Sequence, residues 1–240
     1  MISVIIPTLN EERLLARLLS QFTPDLKRRF NIEVIVTDGG STDKTLDIAK
    51  RYKAHIVTKR PGVPQTIAGG RNSGAWQARG DILVFIDSDN FLADPEHFFP
   101  KIKEVMSGHD VVAATVKVEV DPAERRWYDQ FWSSFFNWLF FLENKIAGAG
   151  MGRGNCQIIK SSAFRKLGGY NEKLVSAEDY DMYHRLIKIG KIENIHEIVV
   201  YESPRRFRKL GYTKVIFLWS WNSIMFFFTG RAWSKKWQRV

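Results

Sequence analysis

The first ninety residues alternate two hydrophobic rhythms. Mostly apolar runs at residues 3–6, 32–37 and 55–58 have the length and β-branched content of strands, and the run at 82–86 is apolar throughout, as a strand buried on both faces must be. Between the runs, apolar residues recur at helical spacing. Leu14, Leu15, Leu18 and Leu19 follow the first run, a second helix reaches about Tyr52, and a third spans about 64–79. Punctuation residues agree. Pro7 ends the first strand, Thr8 and Asn10 are placed to cap the first helix, Gly39 and Gly40 permit a tight turn, and the residues from Ser41 to Asp43 can cap the second helix. Strands and helices alternating at this spacing predict a mostly parallel sheet with helices on both faces.

A parallel sheet collects the carboxyl ends of its strands on one edge, so Pro7-Thr8, Asp38-Gly39 and Asp87-Ser88-Asp89 are expected around one crevice. Asp87 and Asp89 lie one residue apart at the end of the apolar strand. In extended chain they share a side and suit a hard divalent cation that keeps water or phosphate oxygens as its other ligands. The same residues also have turn and cap chemistry. No Gly-x-Gly-x-x-Gly follows the first strand and no Gly-Lys-Ser/Thr occurs, which excludes the dinucleotide fingerprint and the P-loop.

The second half changes character. Residues 111–120 and 155–159 read as strands, and between them nine of the sixteen residues 127–142 are aromatic. Gln130, Ser133, Ser134 and Asn137 form one narrow polar stripe there, so the stretch is a helix with a wide aromatic face, suited to a core or to a water–lipid boundary. Gly148, Gly150, Gly152 and Gly154 make a flexible run around Arg153. Met182, Leu186 and Ile189 mark an amphipathic helix that begins near Glu178 and Asp179.

Composition sharpens the picture at the C-terminus. A chain of 240 residues with 45% hydrophobic content can bury a full core, and one large α/β domain is expected. The single cysteine, Cys156, excludes an internal disulfide and fits a reducing compartment or a small buried apolar residue. The start, Met1-Ile2-Ser3-Val4, lacks a basic leader and reads as a strand rather than a signal peptide. Of the net charge of +10, nearly all lies beyond residue 203, where nine Lys or Arg occur without an acid. The uncharged stretch 215–230 is shorter than the ~20 residues a spanning helix needs, so an amphipathic helix lying in the membrane interface is expected. No nucleic-acid module accompanies the basic tail, and no nucleic-acid partner is expected.

The opening Ser-Val-Ile-Ile-Pro-Thr-Leu-Asn-Glu-Glu, the turn Asp-Gly-Gly-Ser-Thr-Asp-Lys-Thr, Gly-x-Arg-Asn-x-Gly-Ala, Asp-Ser-Asp, Gly-Gly-Tyr-Asn-Glu and Ala-Glu-Asp-Tyr-Asp-Met occur in this order. Together they resemble the family 2 glycosyltransferases of the GT-A fold, over roughly residues 1–205. The resemblance implies an inverting hexosyltransferase that takes a sugar from a nucleotide-diphosphate donor, with Mg²⁺ or Mn²⁺. It implies that Pro7, Thr8, Glu11 and Asp38 hold the base and ribose, Arg71 the nucleotide, and Asp87, Ser88 and Asp89 the ribose and metal. Arg205 and Arg206 match basic residues that reach the donor diphosphate in some relatives. The residues themselves leave Glu178 and Asp179 open between a helix cap with Ser176 and a general base. The resemblance places the base at Asp179, with Glu178 beside it.

The expectation is a GT-A domain over 1–203, divided into a nucleotide-binding half (1–90) and an acceptor-binding half (91–203), with a basic, aromatic membrane-association segment at 204–240. The acceptor is expected at a membrane, as a lipid or polyprenyl phosphate. The enzyme is then peripheral, on the anionic cytoplasmic face. Two other classes share parts of this pattern: a non-catalytic nucleotide-sugar-binding module at the membrane surface, and a sugar nucleotidyltransferase. The intact acids speak against the first, and the second lacks its glycine- and arginine-rich loop after the first strand.

Overall fold

Buried positions alternate between two faces along each strand, and that alternation builds the molecule. In the computed structural model, which describes residues 1–59, 62, 65–145 and 152–229, strands β1 (Ile2–Thr8), β2 (Ile32–Asp38), β3 (His55–Thr58) and β4 (Ile82–Ile86) pair in parallel, in the order β3-β2-β1-β4. The sheet continues past β4 with β7 (Cys156–Lys160), β6 (Val111–Val120), β8 (Lys191–Glu202) and β5 (Asn90–Leu92). β7 runs antiparallel to both β4 and β6, while β6 and β8 pair in parallel. One eight-stranded, mostly parallel sheet thus crosses residue 90 without interruption.

On one face Ile2, Val4, Ile6, Val36, Val84 and Ile86 pack against α1 (Leu15–Ser20), α2 (Pro24–Phe30), α3 (Thr45–Arg51) and α5 (Pro95–Met106) through residues such as Leu18, Leu26, Ile48 and Phe99. On the other, Ile5, Ile35, Leu83 and Phe85 meet α4 (Ile67–Gln77), α7 (Ser161–Lys166) and α8 (Glu178–Leu186) through Ala75, Phe164 and Met182. Adjacent residues of one strand serve opposite cores, as the two-residue period requires.

Several local expectations change. β1 runs through Pro7 to Thr8, because its pairing with β4 has ended at Ile5 while the β2 ladder continues. Asn10 does not cap α1. Its backbone is left-handed (φ 57°), and its Oδ1 accepts from the Thr42 N–H, tying the β1 loop to the β2 loop. Helices α2 and α5 and strand β8 are additional to the elements expected from the sequence, although Thr23 and Asp94 cap the two helices just before a proline.

The aromatic helix α6 (Trp127–Lys145) forms, and the tail folds back onto it as α9 (Arg205–Leu210) and α10 (Tyr212–Thr229). Trp132 stacks on Tyr212 at 5.5 Å, Phe136 meets Trp219 at 6.0 Å, and Tyr212 stacks on Phe207 at 4.3 Å. Fully buried Asp129 accepts from Arg208 and from the Tyr212 hydroxyl at 2.6 Å. Part of the aromatic face and part of the basic tail are therefore consumed in this seam. What stays exposed is a different set: Trp127, Phe131, Phe135 and Trp138 on α6, and Phe217 and Trp221 on α10. Arg231, Lys235, Lys236 and Arg239 lie outside the described residues. Among those described, no helix is long and apolar enough to cross a membrane.

Candidate active site

Strand register delivers the acids. β7 pairs with β4 so that Cys156 faces Ile86, which sets Gly154 and Asn155 beside the end of β4. The Asn155 carbonyl accepts from the Asp87 N–H at 3.1 Å and from Asn90 Nδ2 at 3.0 Å, and the Asn90 N–H closes the turn onto the Asp87 carbonyl at 3.0 Å. The Ser203 N–H, just past β8, reaches the Asp89 carbonyl at 3.3 Å. The Asp-Ser-Asp turn is thus clamped from both neighbouring segments, and Ser88 is buried within it.

Arg71 organises what lies beneath. A side chain at Gly74 would come within 2.5 Å of Ile5, so glycine there lets α4 press against β1 and carry Arg71 to the strand ends. The guanidinium is 1% exposed. Its Nη1 donates to Glu178 at 2.8 Å, and its Nη2 donates to Asp87 at 2.9 Å and to the Gly154 carbonyl at 2.9 Å. Arg71 therefore holds acids from β4 and α8 together from below rather than standing at the mouth of the crevice. Burial works against its charge, but Asp87 and Glu178 hold its pKa above the ordinary value. Burial raises the Asp87 pKa to about 6 in spite of Arg71. Glu178 is raised by burial and by the neighbouring Asp179 charge, and Asp179 by burial.

Glu178 and Asp179 open α8, but the Ser176 cap does not form. Ala177 takes the cap position in left-handed geometry (φ 63°) with no side-chain cap, and the buried Ser176 hydroxyl has no partner among the described residues. Asp179 Oδ1 accepts from the Tyr180 N–H at 2.9 Å, while Oδ2 lies 3.1 Å from where a Cβ on Gly154 would sit. The expected flexible glycine run is, at Gly152 and Gly154, a close-packing device: a Cβ on Gly152 would strike the Tyr183 ring at 2.4 Å. Gly148 and Gly150 lie outside the described residues. Arg153 is buried, paired with Glu202 at 3.2 Å.

The remaining expected residues line the same edge. Thr8 is buried and donates to the Thr37 carbonyl at 3.3 Å, and Pro7 is half-buried beside it. Asp38 is 1% exposed and spends its oxygens on its own turn, accepting from the Gly40 and Ser41 N–H groups and the Ser41 hydroxyl. Glu11 and Asp89 meet across Arg205, whose guanidinium grips Glu11 at 2.6 and 3.0 Å and Asp89 at 3.1 Å. Arg206 is half-buried next to it, and burial lowers its pKa. Gly154 and Asn72 stand in stretches that the sequence singles out, but the contacts they make, and those of Asn155 and Glu202, come only with the fold. Asn72 spans 98 residues to bond the Tyr170 backbone at 2.9 and 2.8 Å. Gly154, in the glycine run, and Asn72, in Gly-x-Arg-Asn-x-Gly-Ala, carried a local signal.

The donor set suits a hard cation. Among the described residues no three His, Cys, Asp or Glu side chains converge as a closed cage. Asp89 and Asp87 instead offer carboxylate oxygens on side chains 24% and 33% exposed. One or two carboxylates completed by phosphates and water is how Mg²⁺ and its relatives are usually held.

A parallel half ending in acids, joined through an antiparallel strand to a second half that brings more acids, is the GT-A architecture. Solved structures that share it include two with bound donor. The Staphylococcus aureus protein TarS (residues 1–349), in complex with UDP-GlcNAc, matches with TM-score 0.63 and 21% identity over 84% of this chain and 58% of that one. The mannosyltransferase PcManGT from Pyrobaculum calidifontis, in complex with GDP-Man and Mn²⁺, matches with TM-score 0.66 and 20% identity over 90% of this chain and 64% of that one. Hyaluronan synthase from Pasteurella multocida is 26% identical over 228 residues, 89% of this chain and 22% of its own length. The chain thus spans about a fifth of that relative. The profile of glycosyl transferase family 2 matches residues 3–168, and the chain belongs to that family.

Proposed function

We propose that the chain transfers a sugar, with inversion, from a nucleoside-diphosphate donor to a hydroxyl of an acceptor presented at a membrane. The observation that carries the chemistry is the arrangement around Arg71. One buried guanidinium fixes Asp87 on the donor side to Glu178 on the acceptor side, with Asp179 next in chain. Asp179 has Oδ1 engaged by the Tyr180 N–H and Oδ2 beside Gly154, and it takes the acceptor proton as the acceptor oxygen bonds to the anomeric carbon and the bond to the diphosphate breaks. Its raised pKa improves it as a base near neutrality. Asp89, with Asp87, would hold Mg²⁺ or Mn²⁺, which neutralises the departing diphosphate when bound. Thr8, Glu11 and the turn shaped by Asp38 form the wall for base and ribose. TarS and PcManGT, crystallised with UDP-GlcNAc and GDP-Man, support the donor class.

The membrane reading rests on the exposed aromatics of α6. Trp127, Phe131, Phe135 and Trp138 recur at helical spacing on one side, and Trp127 is 86% exposed. The tail adds positive charge, which supports a peripheral location at an anionic, cytoplasmic surface. The test of the reaction is release of UDP or GDP from their sugar conjugates with Mn²⁺ and a lipid-linked acceptor; absence of turnover with every conjugate refutes it. Sedimentation with anionic vesicles tests the location, and a protein that ignores them at low salt refutes that part.

A further inference from the structure

The Arg205 guanidinium occupies the ground between Glu11 and Asp89. Nη1 and Nη2 take the two Glu11 oxygens at 3.0 and 2.6 Å as a fork, and Nε donates to Asp89 Oδ2 at 3.1 Å. These residues come from three segments: the loop after β1, the turn after β4, and the start of α9. Arg205 is held close to Asp89 by the backbone as well, since the Ser203 N–H bonds the Asp89 carbonyl. The ion pairs are not sealed in. The Arg205, Glu11 and Asp89 side chains are 34%, 13% and 24% exposed, so water and solutes reach them.

We propose that Arg205 is the counter-charge of the donor-free site, displaced from Asp89 only when a divalent cation and a nucleoside diphosphate arrive together, so that cation binding at Asp89 depends on the diphosphate. This rests on the reading of Asp89 as the cation residue. A cation arriving alone must share one carboxylate with a fixed guanidinium, and the two positive charges repel at contact range in a partly desolvated site. A diphosphate removes the conflict. Its oxygens complete the cation's ligands and also accept the guanidinium fork, which matches phosphate as well as it matches carboxylate. Asp89 then exchanges one positive partner for another, and Arg205 follows the phosphate. The order of entry is built into three side chains.

The test is Mn²⁺ titration of the full chain, read as free Mn²⁺ by electron paramagnetic resonance, with and without UDP or GDP. In wild type, Mn²⁺ alone binds weakly and either nucleotide tightens it. In Arg205→Ala, Mn²⁺ alone binds on the order of tenfold more tightly and the gain on adding nucleotide shrinks. Arg205→Gln, which keeps the length and hydrogen bonding without the charge, should behave alike and serves if the alanine variant does not fold. Unchanged or weaker binding of Mn²⁺ alone in both folded variants overturns the proposal. Asp89→Ala separates the two levels. If it loses Mn²⁺ while the Arg205 variants match wild type, only the proposal fails. If it holds Mn²⁺ with nucleotide as wild type does, the cation assignment itself fails, and the proposal with it.

Discussion

Arg71→Met removes one charge from the centre of the site while keeping an unbranched side chain to fill the space. The guanidinium is 1% exposed and pairs with Asp87 and Glu178 at 2.9 and 2.8 Å. Removing one partner of a buried ion pair costs about 3–5 kcal/mol, chiefly because the other charge is left buried without compensation. For a domain of this size that corresponds to a fall in melting temperature of roughly 6–20 °C. The pH dependence follows from the carboxylates. Burial raises the folded-state pKa of Asp87 from 3.8 to about 6, and Glu178 is raised as well. Between the unfolded and folded pKa values the native state binds more protons, so stability falls as pH rises through that window. Without Arg71 the folded values rise further and the penalty at alkaline pH grows. The gap between wild type and variant should therefore be widest near pH 8 and narrow below about pH 6, as the acids protonate in both proteins. Denaturant melts at pH 5.5 and pH 8 measure it. A loss under about 1 kcal/mol, or one that ignores pH, would show that Arg71 does not neutralise these acids.

Asp179→Asn should lower turnover by ~100-fold or more with the melting temperature and donor affinity near wild type; full turnover would return the residue to a structural role. Asp89→Ala should abolish the gain in nucleotide-diphosphate affinity that Mn²⁺ confers, and calorimetry that shows the gain intact refutes the assignment. Gly152→Ala places a methyl against the Tyr183 ring, whose hydroxyl bonds the Ala114 carbonyl at 2.8 Å, and should destabilise by about 1–3 kcal/mol. The aromatic helix divides by position. Phe136→Ala, in the α6–α10 seam, should cost about 3–5 kcal/mol, whereas exposed Trp127→Ala should stay within about 0.5 kcal/mol yet weaken vesicle binding.

The sequence by itself determined the parallel half and its edge. Runs such as 82–86 and the helix-spaced leucines after β1 are local signals whose periods match the element they form, and the order of strands and helices brings Thr8, Asp38 and Asp87 to one side. The family resemblance reached further, to Asp179 and Arg205. Tertiary structure alone decided how these residues are used. That Arg71 lies beneath the acids depends on α4 approaching β1 through Gly74, which is a contact between distant segments. The role of Gly154 and Asn155 depends on β7 entering antiparallel in one register beside β4, which no periodicity encodes. The aromatic helix shows the limit most plainly. Its aromatic residues all read alike along the chain, but packing of α9 and α10 buries Phe136 and leaves Trp127 in solvent. Hydrophobic pattern specifies that a face must be covered; only the partner that reaches it decides which side chains remain to meet something else.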